Sequence, residues 1–270
     1  MRGVEVRAAG HALLQEVELD LPAGAHVAVV GPSGAGKSTL VGLLVGWSRP
    51  ARGRIEVDGE PLNGPRLAAL RRELAWVDPA VQLWNRSLLH NLRYGADEAA
   101  LTGPLGIGAV LASAQLHEVL ERLPDGLATE LGEGGGLLSG GEGQRVRLAR
   151  ALLRPGVRLA VLDEPFRGLD RGRRSELLRR ARAVWSRATL LCVTHDLEET
   201  LAFDRVLVID GGRLVEDGAP RELAARAGSR YRELLDTERS VREELWGHPG
   251  WERWEIEAGR LRRQPPEERP

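Results

Sequence analysis

The chain has 270 residues, enough for one large α/β domain or for a core with a small appended lobe. Lys and Arg together number 38 and Asp and Glu 39, and this near-neutral balance argues against a nucleic-acid-binding protein, which carries a basic surface. The single cysteine, Cys192, excludes a disulfide framework and fits a reducing compartment, and the residues before Gly10 lack the apolar run of a secretory signal.

The first 60 residues predict short strands. Apolar and polar residues alternate there, and turn signals at Pro22-Ala23-Gly24 and Asp58-Gly59 separate the segments. The predicted strands are Val4–Val6, Val17–Leu19, His26–Val30 and Arg54–Val57. A glycine-rich loop joins the third of them to a predicted helix over Lys37–Val45.

The rest of the chain predicts helices and parallel strands. Residues from about 83 to 153 have a mostly helical pattern, and later strands are expected at Leu159–Leu162, Thr189–Thr194 and Arg205–Ile209 around a helix at Arg173–Ser186. Such alternation predicts a parallel sheet with right-handed crossovers. The apolar runs are too short to cross a membrane. The last residues of the charged tail from about 237 are expected to be disordered.

The loop after the third strand has the full pattern G-x-x-x-x-G-K-[ST] between a predicted strand and a predicted helix. Its glycines let backbone N–H groups turn inward around an anion, and the helix N-terminus adds a positive end to the same place. Lys37 would contact β- and γ-phosphates and the Ser38 hydroxyl would ligate Mg²⁺. Contacts with ATP are expected from Gly31, Pro32, Ser33, Gly34, Ala35, Gly36, Lys37, Ser38 and Thr39.

Lysine occurs once in this chain, at position 37, and every other member of the Lys and Arg total is arginine. An arginine bias can reflect base composition of the genome. A planar guanidinium is nevertheless a poor substitute where a compact ammonium must lie against phosphate oxygens. The only lysine therefore stands where the phosphate motif requires it.

Asp163 and Glu164 follow the apolar run Leu159–Leu162. Ligands of open α/β sheets gather at this carboxyl edge, so Asp163 is expected to hold the Mg²⁺ shell and Glu164 to polarise the attacking water. An isolated Asp-Glu pair is more often a solvated turn, but the preceding strand and the phosphate loop favour the catalytic interpretation.

Three later motifs identify a family resemblance. Leu138–Arg145 resembles the LSGGQ signature of ATP-binding cassette (ABC) proteins, with Glu142 at the glutamine position and a helix that opens towards a phosphate. Gly168-Leu169-Asp170 resembles the D-loop, and His195 resembles the switch histidine, which contacts the γ-phosphate. The resemblance covers about residues 1–236.

The resemblance implies an α/β fold, namely a P-loop NTPase (RecA-like) core with an N-terminal antiparallel β subdomain and an inserted α-helical subdomain at about 83–153. It implies a cassette over 1–236, followed by a tail over 237–270. Two cassettes would pair head to tail around two Mg-ATP. Residues acting in cis would be Lys37, Ser38, Asp163, Glu164 and His195, and those acting across the dimer Ser139, Gly140, Gly141, Glu142 and Asp170.

Segments at Asn91–Gly95, Leu123–Gly126 and Thr129–Gly135 resemble those of exporters, where the last contacts the coupling helices of the membrane part. The expected partners are a second cassette and a transmembrane domain or subunit, with no nucleic acid, and the expected location is cytoplasmic, at the inner face of the cell membrane. The pattern leaves open a homodimer or a heterodimer, and a separate subunit or a piece of a fused exporter.

Two positions depart from the family pattern. Ala8 stands where an aromatic residue usually stacks on adenine, and His11 is a weaker substitute. Pro79 stands at the glutamine of the Q-loop, and a proline can neither ligate Mg²⁺ through its side chain nor donate a hydrogen bond. Gln82 is three residues further on. These departures predict weaker nucleotide affinity and looser coupling to the partner.

Two other functions stay open. The chain could be a structural nucleotide-binding partner in a heterodimer, as Ala8 and Pro79 suggest and Glu164 and His195 oppose. It could also be a soluble non-transport ABC ATPase, although the sequence between Lys37 and Ser139 is too short for a long coiled coil. Tryptophans of the tail could anchor a partner or pack on the domain's own surface.

Overall fold

The computed structural model describes residues 1–78, 80, 82–96, 101, 106–246, 254–257 and 260–263. The strands in this part of the chain are β1 (Arg2–Ala8), β2 (His11–Val17), β3 (His26–Val30), β4 (Arg52–Arg54), β5 (Glu56–Val57), β6 (Glu60–Pro61), β7 (Leu74–Val77), β8 (Leu159–Asp163), β9 (Thr189–Val193), β10 (Arg205–Asp210), β11 (Arg213–Gly218), β12 (Trp254–Glu257) and β13 (Arg260–Arg263). The helices are α1 (Lys37–Val45), α2 (Gly64–Arg72), α3 (Leu88–Arg93), α4 (Ile107–Ser113), α5 (His117–Arg122), α6 (Gly140–Leu152), α7 (Arg171–Val184), α8 (Leu197–Thr200), α9 (Pro220–Ala225) and α10 (Arg230–Trp246), with 3-10 turns at Gly126–Ala128 and Glu133–Gly135.

A six-stranded sheet in the order β11-β10-β3-β9-β8-β7 forms the centre of the molecule. All neighbours in it are parallel except β10 and β11, which form an antiparallel hairpin. After their first residues, His26 and Thr189, strands β3 and β9 are apolar and buried on both faces, as a parallel sheet with covered faces requires. The predicted strand and helix on either side of the phosphate loop are confirmed.

Two hydrophobic clusters cover the faces of this sheet. One joins α1 to the strands β1 and β2, through residues such as Leu40, Leu43, Val4 and Leu14. The other joins the sheet to the helices between β7 and β8 and to α7 and α10, through residues such as Leu88, Leu148 and Leu177. The sheet is therefore the middle layer, and its polar carboxyl edge is left for the loops.

The N-terminal residues form a separate antiparallel sheet in the order β2-β1-β4. The single strand predicted over Arg54–Val57 is wrong, because β4 pairs with β1 whereas β5 pairs with β6. Ile55, between them, is buried against the cluster that contains α1. Together with the helices α3–α6 inserted between β7 and β8, this sheet confirms the predicted fold class.

Helix α10 runs across position 236, where the cassette was expected to end, and β12 pairs with β13 as a short antiparallel hairpin. The final residues expected to be disordered, 264–270, lie outside the described residues. Among the described residues, no helix combines the length and the apolar character needed to cross a lipid bilayer.

Candidate functional site

The loop between β3 and α1 has a backbone that only glycine accommodates at two points. Gly31 has φ +145°, and a Cβ there would lie 1.9 Å from the carbonyl oxygen of Ile209. Gly36 caps α1 with φ +111°, and a Cβ there would lie 2.8 Å from the carbonyl oxygen of Leu13. These close approaches bend the chain so that the first N–H groups of α1 line the loop.

The Lys37 side chain lies inside this loop and is 6% exposed. Its Nζ donates to the carbonyl oxygens of Gly31 and Pro32, at 2.8 Å each. Burial lowers the pKa of Lys37, while the charges of Glu164 and Asp163 act to raise it. The ammonium is thus held at the interior of the loop, where its charge would meet an anion with little water between them.

Asp163 and Glu164 lie at the carboxyl end of β8, next to Lys37. Burial, together with the negative charges of Asp78 and Glu164, raises the pKa of Asp163 to about 6. Glu164 has φ +45°, and its N–H donates to the carbonyl oxygen of Val193 at 3.0 Å. This hydrogen bond holds a strained backbone at the residue expected to act on water.

The Nε2 atom of His195 lies 2.5 Å from Oε1 of Glu164. Both residues line a cleft of about 420 Å³ that also contains Ser33 of the phosphate loop. The structure therefore brings together the phosphate loop, the carboxylate expected to polarise water and the histidine expected to sense the γ-phosphate.

Arg174 of α7 lines the same cleft as His195 and is one of the residues that the sequence did not single out. Its Nη2 donates to Asp196 Oδ2 at 2.8 Å, and its Nε lies 3.6 Å from Glu199 Oε1. Burial, together with the charge of Asp196, raises the pKa of Glu199 to about 7. Since Asp196 follows His195 directly, this ion cluster fixes the loop that carries the histidine onto α7.

Ser139 and Glu142 form a capping box at the start of α6. The Ser139 hydroxyl accepts from the N–H of Glu142 at 3.3 Å, and Glu142 Oε2 accepts from the N–H of Ser139 at 2.8 Å. Arg122 donates to the same carboxylate at 2.8 Å. Burial alone would raise the pKa of Glu142, but these hydrogen bonds outweigh it and lower the pKa.

The signature and the D-loop pack against each other within one chain. A Cβ at Gly141 would lie 2.5 Å from Cδ2 of Leu169, so a larger residue there would displace the Leu169 side chain. Asp170 caps α7, with Oδ1 accepting from the N–H of Arg173 at 2.9 Å. A cleft of about 630 Å³ lies between the two motifs and is lined by Ser139, Gly140, Gly141, Glu142, Gln144, Arg145, Arg147, Arg167, Gly168, Leu169, Asp170 and Arg173.

Some of the site residues expected from the sequence line two clefts, whereas Lys37, Ser38 and Asp163 line neither of them. Ser33, Glu164 and His195 share one, while Ser139 and Asp170 share the other. Arg167 borders both. The second cleft has four arginines among its lining residues, which suits an anionic ligand.

Trp84 and Tyr94 form an aromatic pair beside the signature helix. Their ring centroids are 4.3 Å apart, and the guanidinium of Arg150 lies 4.6 Å from the Trp84 ring. Arg150 also donates to Oδ1 and to the backbone oxygen of the fully buried Asn91, at 2.9 Å each. Burial, together with the charge of Arg147, lowers the pKa of Arg150 to about 10.

The exporter-like segment Thr129–Gly135 contacts the residues that follow Trp84 in the chain. The N–H of Leu88 donates to the carbonyl oxygen of Thr129 at 2.9 Å, and Ser87 forms an antiparallel bridge with Glu130. Tyr94 is 60% exposed and Leu137 is 54% exposed. We call the surface made by Trp84, Tyr94, Leu137 and Thr129–Gly135 the aromatic face.

Of the two positions that depart from the family pattern, the structure describes Ala8 but not Pro79. Ala8 pairs with His11 across the hairpin of β1 and β2, and His11 is exposed there. Pro79 lies outside the described residues. Gln82 is exposed, and its backbone oxygen accepts from Nη1 of Arg150 at 3.4 Å.

Sequence reasoning missed Asp78, Arg122 and Arg174. Asp78 follows the apolar run of β7 in the same way that Asp163 ends β8, so the same strand-end argument would have selected it. No sequence signal marks the other two, because their partners Glu142 and Asp196 are 20 and 22 residues away along the chain.

Comparison with protein families shows that residues 14–167 match the family described as ABC transporter. An ATP-dependent lipid A-core flippase of Ralstonia nicotianae is 38% identical over 219 residues, which are 81% of this chain and 37% of the flippase. A mycobactin import ATP-binding/permease protein, IrtB, of Mycolicibacterium thermoresistibile is 38% identical over 86% of this chain and 39% of that protein.

Among solved structures, a bacterial Atm1-family ABC exporter with ATP bound aligns with a TM-score of 0.81 and 35% identity. The alignment covers 88% of this chain and 41% of the exporter chain. The chain thus spans about two fifths of the length of the relatives that it matches.

Proposed function

Because the chain belongs to the ABC transporter family, we propose that it binds Mg-ATP, hydrolyses it to ADP and phosphate, and serves as the ATPase part of an exporter. The observation that carries the hydrolytic part is the contact of Glu164 with His195, 2.5 Å long, in the cleft that Ser33 of the phosphate loop also lines. A merely structural nucleotide site needs no such pair.

The phosphates of ATP bind to backbone N–H groups of the loop Gly31–Thr39, in which Pro32 has none, and to the ammonium of Lys37. This ammonium now donates to two loop carbonyls at 2.8 Å, and these hydrogen bonds are exchanged for phosphate oxygens. Ser38 and Asp163 would hold the Mg²⁺, which would supply positive charge beside the transferred phosphoryl group. The described residues hold no cluster of three or more metal-ligating side chains, and Mg²⁺ in nucleotide sites needs only one or two carboxylates.

Glu164 orients the attacking water and takes up its proton, and His195 contacts the γ-phosphate. Their contact across 2.5 Å lets His195 position the carboxylate when the γ-phosphate is bound. Arg174 supports this arrangement, since its bond to Asp196 at 2.8 Å ties the histidine loop to α7.

A second cassette completes the site. In one chain Ser139, Gly140, Gly141, Glu142 and Asp170 gather in the arginine-lined cleft, whereas the phosphate loop borders the other cleft. In a head-to-tail pair, these five residues of one chain lie over the ATP that the phosphate loop of the partner chain holds. ATP then stabilises the dimer, and hydrolysis releases it.

The membrane part of the exporter docks on the aromatic face. Exposed Tyr94 and Leu137 supply apolar area, and Arg150 and Asn91 connect this face to the signature helix α6. A movement of the docked segment is thereby passed to Ser139 at the start of α6. In this proposal the chain works in the cytoplasm, at the inner face of the cell membrane. Residues 1–236 form the cassette, with about 83–153 as its helical subdomain, and 237–270 form a tail.

Two alternatives remain to be tested against this proposal. Ala8 at the adenine position favours a structural partner with reduced turnover in a heterodimer. A soluble non-transport ATPase of the same family is opposed by the similarity to exporters and by the exporter-like segment in the aromatic face.

The test compares the ATPase activity and the ATP-induced dimerisation of the wild type and of Glu164→Gln. We expect the wild type to hydrolyse ATP and Glu164→Gln to form a stable ATP-bound dimer without turnover. The exposed Glu243→Gln is the matched control and should behave as the wild type. If the wild type hydrolyses ATP as slowly as Glu164→Gln but still dimerises with ATP, the chain is a structural partner instead.

A further inference from the structure

The strands β7 and β8 end side by side at the edge of the sheet. They are parallel, and their pairing runs from Leu74 with Leu159 to Val77 with Leu162. The next residue on each strand is a carboxylate, Asp78 on one and Asp163 on the other. Neighbouring strands lie about 4.8 Å apart, so the pairing brings the backbones of these two residues close together.

Side-chain alternation puts both carboxylates on the same face of the sheet. Leu74 and Trp76 of β7 pack in the cluster that contains helix α1, as do Leu159 and Val161 of β8. The intervening Ala75, Val77, Ala160 and Leu162 pack in the cluster on the opposite face. Since the side-chain period of a strand is two, Asp78 and Asp163 continue the face that α1 covers.

Helix α1 begins with Lys37 and Ser38 and covers that same face of the sheet, and the charge of Asp163 acts on the pKa of Lys37. Asp78 is held in place by its own turn, in which Oδ1 accepts from the N–H of Ala80 at 2.6 Å. Its charge is among the causes of the raised pKa of Asp163, which agrees with their proximity.

We propose that Asp78 is a second carboxylate of the Mg²⁺ site and acts there together with Asp163 and Ser38. Two like charges on adjacent strands repel each other, and a divalent cation between them removes that cost. Asp78 thereby supplies a side-chain oxygen ligand at a strand end where the side chain of the following residue, Pro79, has none to offer. This inference rests on the proposed function, because it concerns the metal that accompanies ATP.

Arg147 offers a different role for Asp78, since the charge of Asp78 also acts on the pKa of this arginine, which burial lowers. If Asp78 served only to support Arg147 of α6, its loss would change ATP binding equally with and without metal. A Mg²⁺ ligand would change binding only when metal is present. The two roles therefore differ in whether the effect of losing Asp78 on ATP binding depends on metal.

The experiment measures ATP affinity by calorimetry in the Glu164→Gln background, once with saturating Mg²⁺ and once with EDTA. Asp78→Asn is the test variant, because the amide oxygen can still accept from the N–H of Ala80 while the charge is gone. With Mg²⁺ we expect ATP affinity to fall about tenfold or more, the usual effect of losing one group from a metal site. With EDTA it should stay the same or rise, because one negative charge near the triphosphate has been removed.

A second readout is the paramagnetic resonance signal of free Mn²⁺, which should be higher for Asp78→Asn than for its parent at the same ATP concentration. Asp204→Asn, which neutralises a carboxylate with a 77% exposed side chain, is the control and should leave both readouts unchanged. If Asp78→Asn does not fold, Asp78→Ser replaces it, since serine forms the same kind of turn.

Equal affinities of parent and variant in Mg²⁺, or equal changes in Mg²⁺ and EDTA, would overturn the inference and leave ATP binding by the chain intact. Absence of ATP binding by the parent in both conditions would instead overturn the proposed function, and the role of Asp78 with it.

Discussion

Nε2 of His195 lies 2.5 Å from Oε1 of Glu164, and the two side chains are 53% and 30% exposed. The contact joins the end of β8 to the loop after β9, which are adjacent parallel strands. Because both side chains open into the cleft beside Ser33, the pair can meet a nucleotide without a rearrangement of the sheet.

Substitution of His195 by alanine should slow ATP hydrolysis about a hundredfold or more, the usual effect of losing a group that assists proton transfer. ATP affinity should stay within a few-fold of the wild type, since the phosphate loop is unchanged. Steady-state phosphate release and calorimetric ATP titration measure the two quantities. The exposed His117→Ala is the matched control, and full activity of His195→Ala would exclude a catalytic role for this histidine.

Substitution of Lys37 by arginine should weaken ATP binding at least about tenfold although it keeps the charge. The Lys37 side chain is 6% exposed and reaches two carbonyl oxygens at 2.8 Å, so the larger planar guanidinium does not fit the loop. Lys37→Ala should abolish binding altogether. Equilibrium binding of ATP measures both effects.

In contrast, the reciprocal change Arg54→Lys, at an exposed position of β4, should leave ATP binding unaltered. Intact ATP binding by Lys37→Ala would refute the assignment of the phosphate loop.

Glu142 at the glutamine position of the signature should tolerate replacement by glutamine but not by alanine. Glutamine preserves the capping box with Ser139 and gives up only the pair with the 57% exposed Arg122, so stability should change by no more than about 0.5 kcal/mol. Alanine removes the reciprocal cap and should cost about 1 kcal/mol. Denaturant unfolding measures both, and equal losses for the two variants would show that the capping box does not stabilise α6.

Glu199 should make the protein less stable as pH rises from about 4.5 to about 7. Burial and Asp196 raise its pKa to about 7, so in this window the native state holds a proton that the unfolded state has released. The free energy of unfolding falls by on the order of 3 kcal/mol at most, because the Glu199 side chain is 6% exposed. Unfolding free energies of the wild type and Glu199→Gln, measured from pH 4.5 to 8, should diverge across this range.

The exposed Glu243→Gln should follow the wild type at every pH. Parallel curves for Glu199→Gln and the wild type would mean that Glu199 keeps its ordinary titration in the folded chain.

Local patterns predicted those parts of the molecule that depend on neighbours in sequence. The strand His26–Val30 and the helix Lys37–Val45 were predicted with the bounds observed, because a buried apolar run and a glycine-rich turn act over a few residues. The strand expected at Arg54–Val57 was not, because the division at Ile55 depends on two different partner strands, β1 and β6.

By itself, the sequence determined the family, the fold class and the motifs, since each motif is made of residues that are close together in the chain. These are the glycines in fixed spacing, the single lysine, and the two acids at the end of an apolar run. Only the tertiary structure decided which distant groups meet. It set Asp78 beside Asp163 through the register of β7 and β8, placed Arg174 against Asp196, and joined His195 to Glu164. These contacts depend on strand order and packing, which emerge when the whole sheet is assembled.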